Sequence, residues 1–153
     1  MMRIEGQYIF TEHNPEEVWA ALDTPEIIAR SMPGVEKFEI VGKNLYKAKI
    51  RIGTIIKGSY NADIAVSENN RSSFVLDINA EGTGFVNFVK LRAIATIKAH
   101  DSGALVDWEA EGEVEARGLV AGIGNRILPD VARRLVAQFF KSVERQMISA
   151  LSP

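Results

Sequence analysis

Residues Leu128 to Leu151, LPDVARRLVAQFFKSVERQMISAL, decide the fold. Large apolar residues fall at Leu128, Val131, Leu135, Phe139, Val143, Met147 and Leu151. Steps of three and four put them on one face of a helix. Val136, Phe140 and Ile148 widen that stripe into the broad face of a helix lying on a sheet. Arg133, Arg134, Lys141, Glu144 and Arg145 are expected mostly on the solvent side. Burying such a face contributes about 1.5–3 kcal/mol per large side chain before ordering entropy is subtracted. No other segment offers a comparable surface, so this helix must cover whatever the rest of the chain builds. Upstream, Leu119, Ile123 and Ile127 continue the spacing, but Gly118, Gly122 and Gly124 weaken it and Pro129 removes a hydrogen bond. Two forms are open: one long helix kinked near Pro129, or a weak first turn or two feeding a strong helix.

Ahead of this helix the hydrophobic period is two. Strands are expected near Val35–Val41, Leu45–Ile52, Ile55–Val66, Ser73–Glu81, Phe88–His100 and Leu105–Ala116, with Arg3–Phe10 as a first strand. Glycine- and asparagine-bearing turns separate the last six, and such short connections imply an antiparallel meander. Between the first strand and the meander, Asn14-Pro15-Glu16-Glu17 and Thr24-Pro25-Glu26 are two helix starts, each with a capping residue followed by proline. The fold class is therefore α+β: a curved antiparallel sheet of about seven strands wrapped around the C-terminal helix, with two short helices after the first strand.

With 153 residues the chain suits a single domain, spanning 1–153. A net charge of -2 gives no reason for non-specific nucleic-acid binding, and zero cysteines exclude thiol chemistry and thiolate metal sites. The N-terminus lacks the apolar run of a secretion signal, so a cytoplasmic address is expected.

One face of the strands is charged. Asp107, Glu109, Glu111, Glu113 and Glu115 stand beside Lys90, Arg92 and Lys98, and this face is expected to be the solvated one. The other face carries Tyr60, Phe74, Leu76, Ile78, Leu91, Ala93, Ala95, Trp108 and Ala110. Its alanines and glycines, opposite a helix bearing Leu135 and Phe139, either let the helix approach very closely or leave a cavity. A cavity so lined suits a hydrophobic ligand, and the residues just named are the candidate ligand-binding set. Catalytic signals are weak: His13 and His100 are expected as exposed loop residues, no metal-ligand spacing surrounds them, and no acid or histidine falls on the inward strand face. No catalytic residue, metal or cofactor is therefore expected. Ile55, Ile56, Phe85, Val86 and Phe88 sit on glycine-flanked hairpin tips and form a candidate gate, folded inward as a plug or turned out as an apolar patch.

Several stretches resemble the G-subunit family of carbon monoxide dehydrogenase, within the START and polyketide-cyclase (helix-grip) superfamily. They are Asn14-Pro15-Glu16-Glu17-Val18-Trp19, Met32-Pro33-Gly34-Val35-Glu36, Ile50-Arg51-Ile52-Gly53 with Lys57-Gly58-Ser59-Tyr60, and Gly84-Phe85-Val86-Asn87-Phe88-Val89-Lys90. Gly124-Asn125-Arg126-Ile127-Leu128 and Gln138-Phe139-Phe140 complete the set, which spans nearly the whole chain. The resemblance implies a non-catalytic accessory role beside a carbon monoxide dehydrogenase-type molybdenum hydroxylase. It also implies binding of a lipid-like molecule such as a quinone, with transient contact on the inner face of the membrane. Asn87-Phe88 is bulkier than the family pattern expects, so the gate is expected to differ. Two other classes compete: a cyclase or aromatase-like enzyme of the same superfamily, and a protein adaptor with a filled core.

Overall fold

The computed structural model describes residues 1–53, 57–84, 86–116 and 120–151, with α3 side chains described over 128–148. In chain order the elements are β1 (Met2–Phe10), α1 (Pro15–Leu22), α2 (Pro25–Ser31), β2 (Val35–Gly42) and β3 (Leu45–Ile52). β4 (Gly58–Asn69), β5 (Ser73–Gly82), β6 (Val86–His100), β7 (Gly103–Ala116) and α3 (Val120–Leu151) follow. The seven strands form one antiparallel sheet in the order β1-β7-β6-β5-β4-β3-β2. β1 therefore closes onto the last strand of the meander, and β2 is the opposite edge. Strand ends agree with the sequence reading to within three residues, β3 at both ends without change, and Ile55 and Ile56 lie outside the described residues.

Local chemistry explains the start of the chain. Asn14 and Glu17 form the expected capping box, each side chain accepting from the other's backbone N–H at 2.9 and 3.1 Å. Thr24 behaves differently: its hydroxyl donates to the Ala20 carbonyl at 2.7 Å and caps nothing in α2. After α2 the chain turns through Gly34 at φ 73, and a Cβ there would collide with the Arg51 carbonyl of β3. Arg51 N–H donates to Gly34 O at 2.9 Å, so the Met32-Pro33-Gly34 turn is sewn to β3.

α3 is one continuous helix with Pro129 inside it, so the chain takes the long-helix form of the two open from sequence. It packs on β1, β7, α1 and α2. Phe10, Val18, Val106 and Val143 are completely enclosed there, with Ile4, Trp108, Phe140 and Met147 around them. The buried stripe of α3 is turned slightly from the expected one. Phe140 is buried and Phe139 only half-buried, while Ile148 is 51% exposed and so is not part of the packed face. The same rotation brings Glu144, expected outside, against β1. On the far side of the sheet Lys98 pairs with Asp107 at 3.6 Å as expected, and Arg3 of β1 adds a pair with Glu109 at 3.5 Å. Exposed pairs of this kind contribute about 0–1 kcal/mol each.

Candidate functional site

The strand register aligns the candidate residues into rows across the concave face. Phe74, Ala95, Trp108 and Gly6 form one row across β5, β6, β7 and β1. Leu76, Ala93, Ala110 and Ile4 form the next, and Ile78, Leu91, Gly112 and Met2 the one after. Tyr60 and Ala62 extend the surface onto β4, opposite Gly82 and Ala80. The nine strand residues singled out from sequence thus share one face of one sheet.

Their burial is uneven. Tyr60, Phe74, Trp108 and Ala110 are buried, whereas Leu76, Ile78, Leu91, Ala93 and Ala95 are half-buried although they lie on the concave face. Phe139 and Leu135 of α3 are also half-buried. Phe139, Leu76, Ala93 and Ala95 pack against the margin of the closed core. Leu135 lines a depression of about 290 Å³ between α3 and the β2–β3 side of the sheet.

Two rings lie flat against the sheet. A Cβ on Gly6 would come within 2.7 Å of Trp108 Cζ2, and one on Gly82 would collide with the Tyr60 ring. In both cases the ring occupies the space its glycine partner leaves vacant. The Tyr60 hydroxyl is held by a backbone hydrogen bond from Val86, and burial, the larger influence, raises its pKa.

The tips of the β3–β4 and β5–β6 hairpins meet at one end of the face. A Cβ on Gly58 would sit 2.7 Å from Gly84 Cα, so the two backbones touch where no side chain intervenes. Thr83 N–H also donates to Ser59 O at 3.1 Å. Gly58 and Gly84, at the described ends of the two hairpins, are therefore neighbours, and the gate residues Ile55, Ile56 and Phe85 lie outside the described residues. Val86 is buried, with 2% exposure. Phe88 does not share its face: a register shift at Asn87 aligns Phe88 with Glu81 and Glu115, the charged side of the sheet. The one-residue bulge reverses the alternation that had put Val86 and Phe88 together.

The opposite end is closed by α1. Trp19 Nε1 donates to Asn69 Oδ1 at 2.6 Å, Asn69 Nδ2 donates to Asp23 at 2.7 Å, and Arg71 lies over the Trp19 ring at 5.1 Å. Between the ends, Tyr8 stacks on Phe140 and donates its hydroxyl to Glu144 Oε1 at 2.8 Å. Burial first, then the Glu144 carboxylate, push the Tyr8 pKa well above the ordinary phenol range. Sequence reasoning missed this pair because it placed Glu144 with the solvent-facing charges. His13 is a second correction. It is 3% exposed, its two ring nitrogens lack a hydrogen-bond partner among the described residues, and Nδ1 lies 3.7 Å from Glu17 Oε2. A residue preceding a helix cap reads as loop in sequence, and only the packing of α1 on the sheet buries it. Among the described residues no three His, Asp or Glu side chains converge as a metal site.

A curved antiparallel sheet gripping a C-terminal helix is the START-like, helix-grip fold. A START superfamily protein from Mycobacterium smegmatis matches it with TM-score 0.72 at 11% identity, over 97% of this chain and 98% of that one. The Zhui aromatase/cyclase from Streptomyces sp. R1128 matches with TM-score 0.67 at 16% identity, over 99% and 96%. At such identities the likeness is of fold alone. A conserved protein from Geobacillus kaustophilus is nearer, with TM-score 0.85 and 29% identity over 97% of each chain. Among curated proteins no sequence match was found. The profile of the carbon monoxide dehydrogenase G subunit (CoxG) matches residues 9–148, and the chain belongs to that family.

Proposed function

We propose that this CoxG-family chain, acting as one domain, is a non-catalytic carrier of a hydrophobic, lipid-like ligand such as a quinone. It would hold that ligand between the concave face and α3 and serve a carbon monoxide dehydrogenase-type molybdenum hydroxylase. The observation that carries the reading is the half-burial of Leu76, Ile78, Leu91, Ala93 and Ala95. A filled core would leave alanines and leucines on the inner face with no surface for a water-sized sphere to touch. Burying roughly ten methylenes would contribute about 8 kcal/mol, near micromolar affinity before entropy losses, so no charged anchor is needed. Loading through the adjoining hairpin tips, with brief contact at the cytoplasmic face of the membrane, completes the proposal.

The test is mass spectrometry of lipids extracted from the purified protein, followed by quinone transfer from liposomes to wild type and Ala93→Phe. A co-purifying isoprenoid, and transfer abolished in the variant, are the expected results. If no lipid is carried and transfer is absent, the carrier role falls and an adaptor remains. Glu144, the carboxylate nearest an enzymatic reading, is occupied by Tyr8. Turnover of a polyketide that Glu144→Gln abolishes would replace the carrier by a cyclase.

A further inference from the structure

The outer side of α3 carries a second surface that the concave face does not explain. Arg134, Gln138, Lys141 and Arg145 follow one another at steps of four, three and four, so they form a stripe along the helix. Arg30 at the end of α2 and Arg51 on β3 stand across from it. Between the walls run two depressions, one of about 420 Å³ beside α2 and one of about 290 Å³ beside β3, and both are lined by Pro33 and Gln138. Among the described residues no aspartate or glutamate lines either depression.

Charge is segregated here. Among the described residues Arg30, Arg134, Lys141 and Arg145 have no carboxylate within ion-pair distance, while Arg51 has Glu36 at 3.7 Å. In a chain of net charge -2, unpaired cations gathered along one concavity are an unmatched positive field. The floor changes character along its length. Val131, Leu135 and Ile52 make the β3 end apolar, and Ser142 and Lys141 make the α2 end polar.

We propose that this groove docks an extended acidic segment of a partner protein, with an apolar side chain seated at Leu135 and carboxylates over Arg134, Lys141, Arg145 and Arg30. The stripe is about 16 Å long at 1.5 Å per residue, which matches roughly five residues of extended chain. Its charges line a hollow walled by α2, whereas a bilayer surface needs them on a flat or convex face. Among the described residues no aromatic side chain lines the groove, so it has no platform on which nucleic-acid bases would stack. Leu135 is the one groove residue that also belongs to the candidate ligand-binding set, and the charged stripe itself lies outside that set.

The experiment titrates the ¹⁵N-labelled full chain with a pentapeptide of one leucine followed by four glutamates, up to about 5 mM to capture weak binding. Amide shifts confined to Arg30–Ser31, Gly34 and residues 134–145, weakening as salt is raised, are expected. Arg134→Glu with Lys141→Glu should lower the affinity at least about tenfold, and Lys98→Glu on β6, which lines neither depression, should leave it unchanged. The amide spectrum of each variant reports whether it is folded. Absence of shifts, shifts elsewhere, or equal loss in Lys98→Glu would overturn the proposal. Salt-sensitive binding to phosphatidylglycerol vesicles through the same residues, without peptide binding, would also overturn it, in favour of a membrane.

Discussion

Two halves of the concave face differ in how they are finished. Towards β1 and β7, α1 and the C-terminal half of α3 press Phe10, Val106, Val18 and Val143 into complete burial. Towards the middle of β5 and β6, Leu76, Ile78, Leu91, Ala93 and Ala95 on the same face of the same sheet stay half-buried, although Phe74 and Ile97 nearby are buried. Ala93 and Ala110 make the contrast sharp, because they are direct cross-strand partners and only Ala110 is buried. Residue type does not set this difference. Cover by α3 does, because among the strands that helix packs chiefly on β1 and β7.

Substitutions in the two halves should therefore behave differently. Phe10→Ala, which empties a fully enclosed site, should cost about 3–5 kcal/mol in urea unfolding. Leu91→Ala in the half-buried region should cost only about 1 kcal/mol. Comparable losses at both would erase the distinction. Next comes the alanine pair: Ala110→Phe should cost about 1–3 kcal/mol by overpacking. Ala93→Phe should leave the urea midpoint nearly unchanged while blocking ligand uptake. An equal stability loss at both positions would mean that the face is packed throughout.

Tyr8→Phe removes one partly buried hydrogen bond to Glu144 and should cost about 1 kcal/mol. The same hydroxyls predict an alkaline limit. Tyr8, Tyr46 and Tyr60 have pKa values raised above 10.0, chiefly by burial. Their stabilisation is fully present below the unfolded phenol pKa and is lost as pH rises through the folded values. The unfolded chain ionises first, so the urea midpoint should fall progressively above about pH 10. Absorbance of tyrosinate should show Tyr8, on the packed side, as the last to ionise. The smallest effect belongs to the solvated face, where Lys98→Ala should change stability by less than about 0.5 kcal/mol.

Much of this architecture was legible in the chain. The three-four spacing from Leu128 to Met147 requires a helix with one buried face, and the period-two runs require strands. Because side chains alternate strictly, correct phase on one strand carries the neighbours with it, and Phe74, Ala95 and Trp108 fall in one row as alternation demands. The capping box at Asn14 is local chemistry and needed nothing else.

What the sequence could not express depends on distant partners. Asn87 adds one residue to β6 opposite β7, and that single bulge sends Phe88 to the charged side. The seating of α3 on β1 draws Glu144 to Tyr8 and leaves Ile148 in solvent, a contact between residues 136 positions apart. His13 becomes buried only because α1 is laid across the sheet. The basic groove exists only because Pro33-Gly34 folds against Arg51 and brings Arg30 within reach of a helix more than a hundred residues further along the chain. Local periodicity determines which faces must be buried. Only the assembled layers decide how completely each face is covered, and which charged side chains end up beside one another.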